Sequence, residues 1–149
     1  MTFKEIQNAD LDTELTIMTE LFTVHSRLEV QLEGGPTTYW LFSGSDLLLS
    51  LNPEADELFL FRRTEGEVEK DDDMVVEGGK DYEFSYEDRG AITSSEGLMV
   101  YNEGEVLEFA DYESDDGSRV RLVTNTYDGE EEAFVGQVIT EDDVVVNEA

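Results

Sequence analysis

Two acidic tracts hold the residues with most chemistry in reach: Asp71-Asp72-Asp73, and Asp111-Tyr112-Glu113-Ser114-Asp115-Asp116-Gly117. Clustered carboxylates offer oxygen ligands to hard cations. In the second tract Asp111, Glu113, Asp115 and Asp116 resemble the donors of a calcium loop. Its glycine falls one position late, however, and Leu122 stands where a bidentate carboxylate belongs. A hairpin turn accounts for the same residues. Asp71, Asp72 and Asp73 fit a solvated loop that attracts cations weakly. These seven acids are the candidate metal ligands.

The other reactive types are scarce. His25 is the single histidine and there is no cysteine, so thiolate and multi-histidine zinc sites are excluded. His25 has the chemistry of a general base, but its place on the polar phase of a strand reads as an exposed side chain. No nucleophile elbow or phosphate-binding glycine loop occurs. Lys4, Lys70 and Lys80 sit among acids, which disfavours Schiff-base chemistry. Paired carboxylates can hydrolyse glycosides, but among 38 acids some pair fits by chance. Tyr39 and Trp40 are the candidate binding residues, able to line a cleft or to pack in a core.

Charge dominates the composition. The 149 residues include 38 Asp or Glu against nine Lys or Arg, a formal net charge of -29. Such a chain repels nucleic acid phosphates and anionic membranes and attracts cations or basic surfaces. The acids are spread along the chain, as on a folded surface rather than an acidic tail. Eight Phe, six Tyr and one Trp, many of them periodic, argue for a folded core. No signal-type leader and no bilayer-length apolar run is visible, which predicts a soluble cytoplasmic protein without membrane insertion.

The elements that must position these residues read as strands. Phe22, Val24, Ser26, Leu28, Val30 and Leu32 alternate with polar residues, predicting one long half-buried strand, or one bent at Ser26. Gly34-Gly35-Pro36 ends it, and residues 37–43 return antiparallel, bringing Trp40 or Tyr39 against its apolar face. Residues 47–51 and 57–63 follow as strands, the latter covered on both faces, with helix the alternative for 57–63. Residues 65–73 read as an exposed loop. Tyr82, Phe84 and Tyr86 predict a strand with one aromatic face, and Asp88-Arg89-Gly90 a turn, before strands at 91–95 and 98–101. Residues 105–112, 118–127 and 130–139 form a hairpin meander joined by Asp-Gly turns. Thr2 and Glu5 have capping-box spacing, so residues 1–14 read as a short helix or arm, and 140–149 as an edge strand or tail. The sum is one acidic all-β domain spanning 1–149, mainly antiparallel, either a barrel or a two-sheet sandwich.

Several landmarks resemble a bacterial family of uncharacterised β-rich domains. They are Tyr39-Trp40-Leu41, Tyr82-x-Phe84, Gly90-Ala91, Gly97, Ala110-Asp111-Tyr112, Asp128-Gly129-Glu130 and Ala133-Phe134-Val135-Gly136. The resemblance covers roughly residues 15 to 140. It implies a soluble β domain of a bacterial accessory or stress system, encoded near genes for phage-shock-protein-A-like proteins and polyamine-type decarboxylases. It implies no catalytic residues.

The functional expectation is a non-enzymatic binding or adaptor domain without a cofactor, whose acidic surface engages a basic protein or a polyamine. One alternative is that the acidity adapts a structural domain to a salty solvent. Another is a carboxylate- or metal-dependent enzyme.

Overall fold

The computed structural model describes residues 1–64, 68–97 and 101–147. A short helix, α1 (Phe3–Gln7), precedes β1 (Glu14–Ile17), β2 (Glu20–Thr23), β3 (Ser26–Leu32), β4 (Thr37–Ser43), β5 (Leu47–Asn52) and β6 (Glu57–Arg63). Then come β7 (Glu69–Asp71), β8 (Met74–Glu77), β9 (Lys80–Gly97), β10 (Val106–Glu113), β11 (Ser118–Asn125), β12 (Glu131–Val138) and β13 (Val144–Val146). No described helix is long and apolar enough to cross a membrane.

Among the described residues, eight strands close a fully antiparallel barrel in the order β3-β4-β5-β6-β12-β11-β10-β9, with β9 returning to β3. Closure depends on the length of β9. Its residues 83–91 pair with β10, and residues 90–97 pair with β3. Of the two architectures the sequence allows, this is the barrel. Closing a sheet on itself removes the exposed edges that an open sheet would present.

The core is three-fold. Inside the barrel lie Leu28, Val30, Trp40, Phe42, Leu48, Phe59, Phe61, Phe109 and Phe134 with their neighbours. A small sheet, β13-β1-β2, and helix α1 cover the outer face of β4, β5 and β6, burying Leu41, Leu47, Leu49, Leu51, Leu58 and Leu60. On another outer face, Val75 and Tyr82 of β8 and β9 pack against Val120 and Leu122 of β11. Residues 47–51 are therefore buried without interruption, because both faces of β5 are covered. Each fully buried Leu or Phe contributes about 1.5–3 kcal/mol.

The two-residue phase from Phe22 to Leu32 holds throughout: every even-numbered side chain is buried. The strand itself is divided at Val24 and His25. Phe22 and Val24 serve the outer layer, whereas Leu28, Val30 and Leu32 serve the barrel interior. Gly34-Gly35-Pro36 returns the chain antiparallel, setting Trp40 opposite Leu28. The Thr2–Glu5 capping box forms on α1, the C-terminal meander forms as β10-β11-β12, and β13 is an edge strand of the small sheet.

Three expectations need correction. The tract expected as a loop contains β7, paired with β8 in a hairpin; residues 65–67 lie outside the described residues. Its acids sit at exposed positions of that strand and turn, where charge and pairing coexist. Asp88-Arg89-Gly90 is not a turn, because β9 runs straight through it. Gly90 is needed for close approach: a Cβ there would lie 2.7 Å from Val30 Cγ1 and 2.9 Å from the Gln31 carbonyl oxygen. The single aromatic face is broken by a bulge, since Tyr112 pairs with Phe84 but Asp111 pairs with Tyr86. The extra residue, Ser85, reverses the phase. Tyr82 packs outside against Val120 and Leu122, while Tyr86 meets Phe109 of the interior. Of the strand expected at 98–101, residues 98–100 lie outside the described residues.

Candidate functional site

The barrel interior is not wholly apolar. Along β11, Val120 and Leu122 face outward, so Arg121 points in, directly across from Asp111 of β10. The guanidinium grips the carboxylate with two bonds, Nε–H to Oδ1 at 2.7 Å and Nη2–H to Oδ2 at 2.9 Å. Nη1–H donates to Ser50 Oγ of β5 at 2.8 Å, a bond that spans the barrel. Aromatic rings surround the cation, with its central carbon 4.9 Å from the centroids of Phe61 and Phe109, 5.4 Å from Trp40 and 5.8 Å from Phe59. A buried charge is tolerated only when paired in this way, and arginine's planar fork suits both the carboxylate and the ring faces.

Arg119, two residues earlier, donates to Asp111 Oδ2 at 3.2 Å, pairs with Glu113, and lies 4.5 Å over the Phe59 ring. These groups line a cavity of about 380 Å³ at one end of the barrel, whose lining also includes buried Leu32 and the more exposed Asn52, Glu57 and Tyr86. The Tyr86 hydroxyl donates to Asp88. Burial, and then that bond to a carboxylate, raise the phenol well above the usual tyrosine value.

A second concavity, of about 540 Å³, lies on the outer surface. Its lining includes Glu33, Glu87, Asp88, Glu108 and Glu131, with Ala110, Tyr112 and Leu122 as apolar surface. The two bases in it are spoken for. Arg89 pairs with Glu33 at 3.4 Å and Glu108 at 3.1 Å, and Lys70 pairs with Glu131 at 2.8 Å. Five carboxylates against two bases leave the groove negative.

The sequence candidates scatter across the fold. Trp40 is 1% exposed and forms part of the inner cavity wall, edge-on to Phe109. Tyr39 lies on the opposite face of β4, packed against the outer core, so the two share no cleft. Asp71, Asp72 and Asp73 are exposed at the β7–β8 hairpin. Asp115 and Asp116 occupy the β10–β11 turn, apart from Asp111 and Glu113, which are held by arginines. Asp116 is held well below the usual carboxylate range, chiefly by Lys80 and then by Ser114 and Ser118. Among the described residues, no three His, Asp or Glu side chains converge to hold a metal ion. His25 is exposed, and its Nδ1 accepts a bond from the Gly44 N–H at 2.7 Å.

Sequence reasoning passed over Arg119, Arg121, Ser50 and Tyr86. One signal was available: two of only six arginines stand at i and i+2 inside an apolar strand of a chain poor in bases.

A family model described as a domain of unknown function, DUF4178, matches residues 10–141, close to the span over which the landmark residues lie. No curated protein and no solved structure matches the chain.

Proposed function

The chain belongs to the DUF4178 family, and on that premise we propose that it is a non-enzymatic binding domain whose acidic outer groove engages a cationic partner. The observation that carries this reading is the outer groove with its surplus of carboxylates. Its apolar lining from Ala110, Tyr112 and Leu122 suits the alkyl stems of lysine, arginine or polyamine chains. The carboxylates suit their charged ends. Glu87 and Asp88 supply two of the three surplus charges, and Glu33 and Glu108, which share Arg89, supply the third, while Lys70 offsets Glu131. A net charge of -29 adds long-range attraction, which speeds encounter with a basic surface.

Calorimetric titration at low salt tests the proposal, with spermidine in one arm and a lysine-rich peptide in the other. Saturable binding that weakens in a Glu87→Gln, Asp88→Asn, Glu108→Gln variant is the expected result. The arm that binds more tightly identifies the source of the cation. Equal weakening by Asp46→Asn, Glu54→Gln, Asp56→Asn, which lie in turns outside the groove, would mean diffuse attraction and would overturn the site. No binding in either arm would leave solvent adaptation as the account of the acids.

A further inference from the structure

The inner cavity is a second site, chemically unlike the groove. Arg121 has five N–H donors, of which three are engaged, one with Ser50 and two with Asp111. Two donors remain on a side chain that is 5% exposed and lines the cavity. Buried donors of this kind are satisfied by an acceptor brought in from outside or by water.

Charge decides what acceptor fits. Arg119 and Arg121 are already matched by Asp111 and Glu113, and Glu57 adds a third carboxylate at the rim. Among the described residues Glu57 forms no salt bridge. An anionic ligand would have to be desolvated beside a site with a net negative charge, which is costly. A neutral ligand meets no such barrier. It finds donors at Arg121 and an acceptor at Glu57.

Shape narrows the choice further. Tyr86, 40% exposed, lines the cavity with its ring 6.1 Å from that of Phe109 and inclined to it by 61°, and Trp40, 1% exposed, stands deeper in the wall. Aromatic walls favour a flat apolar body in offset or edge contact. A volume of about 380 Å³ falls within the range of small-molecule pockets.

We propose that the barrel-end cavity binds a small neutral planar ligand of the lactam or carboxamide class. Its carbonyl accepts from Arg121, its N–H donates to Glu57, and its ring lies against Tyr86. The proposal does not rest on a cationic partner in the outer groove.

Trp40 is the chain's one tryptophan, so its fluorescence reports the cavity directly. The probes are benzamide and 2-pyridone, with benzoate as the anionic control. Both neutral probes should give saturable changes with Kd on the order of 1 mM, as expected of fragments this small. Amide NMR shifts should map to Ser50, Glu57, Tyr86 and Arg121. Tyr86→Ala and Glu57→Gln, at partly exposed positions, should each weaken binding about tenfold while circular dichroism stays unchanged. Benzoate should bind at least about tenfold more weakly than benzamide. The proposal falls if neither neutral probe gives saturable fluorescence or cavity shifts up to about 10 mM. It also falls if benzoate binds as tightly as benzamide, or if both variants bind like the parent. These titrations are run without spermidine, because Asp88 of the groove accepts from the Tyr86 hydroxyl.

Discussion

Replacing Asp111 by alanine should destabilise the domain by about 3–5 kcal/mol, because it strands a charge inside the barrel. The side chains of Asp111 and Arg121 are 1% and 5% exposed. The substitution removes both carboxylate bonds of Arg121 and the 3.2 Å contact from Arg119. Arg119 keeps Glu113, but Arg121 keeps only Ser50 and its aromatic neighbours. Cation–π attraction is worth on the order of 2 kcal/mol when desolvated, which does not replace a counter-ion. A domain in the upper part of the ordinary range, about 10–15 kcal/mol, would survive with a much lower denaturation midpoint. Urea unfolding followed by Trp40 fluorescence measures the loss. Since the pair is buried, the loss should be similar in about 0.1 M and about 1 M NaCl, unlike that of an exposed pair. Removing both charges, as Asp111→Leu with Arg121→Met, should recover most of the stability, since buried pairs are often replaceable by apolar residues. A single-variant cost below about 1 kcal/mol, or a double variant as weak as the single, would refute the stranded-charge argument.

Two further outcomes can be measured. At Gly136 a Cβ would lie 2.0 Å from the Leu60 carbonyl oxygen and 2.7 Å from Phe61 Cα, so β12 and β6 would have to separate; Gly136→Ala should cost about 3 kcal/mol or more in the same urea assay. Tyr101, 5% exposed and 2.9 Å from Glu132, has its phenol pushed above the ordinary 10.0, first by burial and then by that carboxylate. A raised folded value means that the unfolded chain ionises first, so this contribution is complete below pH 10 and declines above it. Stability measured across the alkaline range should fall less steeply in Tyr101→Phe than in the parent.

Much of the fold was legible because local pattern and tertiary environment agree. The alternation from Phe22 to Leu32 and the Asp-Gly meander each specify strand and phase within a few residues. What was not legible depends on distant contacts. Ser85 is an ordinary strand residue until its pairing with β10 makes it a bulge. Gly90 looks like a turn residue until β3 is laid across it. β7 is too acidic to read as a strand, and it is held by backbone pairing to β8 instead of by a buried face. The inner site shows the same limit. Asp111 was singled out for its oxygens, but its partner Arg121 lies 10 positions away, and Ser50, which accepts from Arg121, lies 71 positions from that arginine. Only barrel closure brings these three together.

The route by which β6 is paired has a consequence for synthesis of the chain. One neighbour, β5, precedes it immediately, but the other is β12, whose Gln137 lies opposite Leu60. A chain emerging from its N-terminus therefore completes β3 to β6 as a meander and must wait for most of the remaining sequence before the seam can shut. Pairings this distant slow folding, and an unshut strand edge invites a neighbouring chain to complete it. The exposed Arg62 and Arg63 stand on that waiting strand, where charge discourages foreign pairing. Acids spread along the whole chain keep nascent copies apart over the same interval. The charge thus also protects the protein during its least protected moments, before the barrel exists.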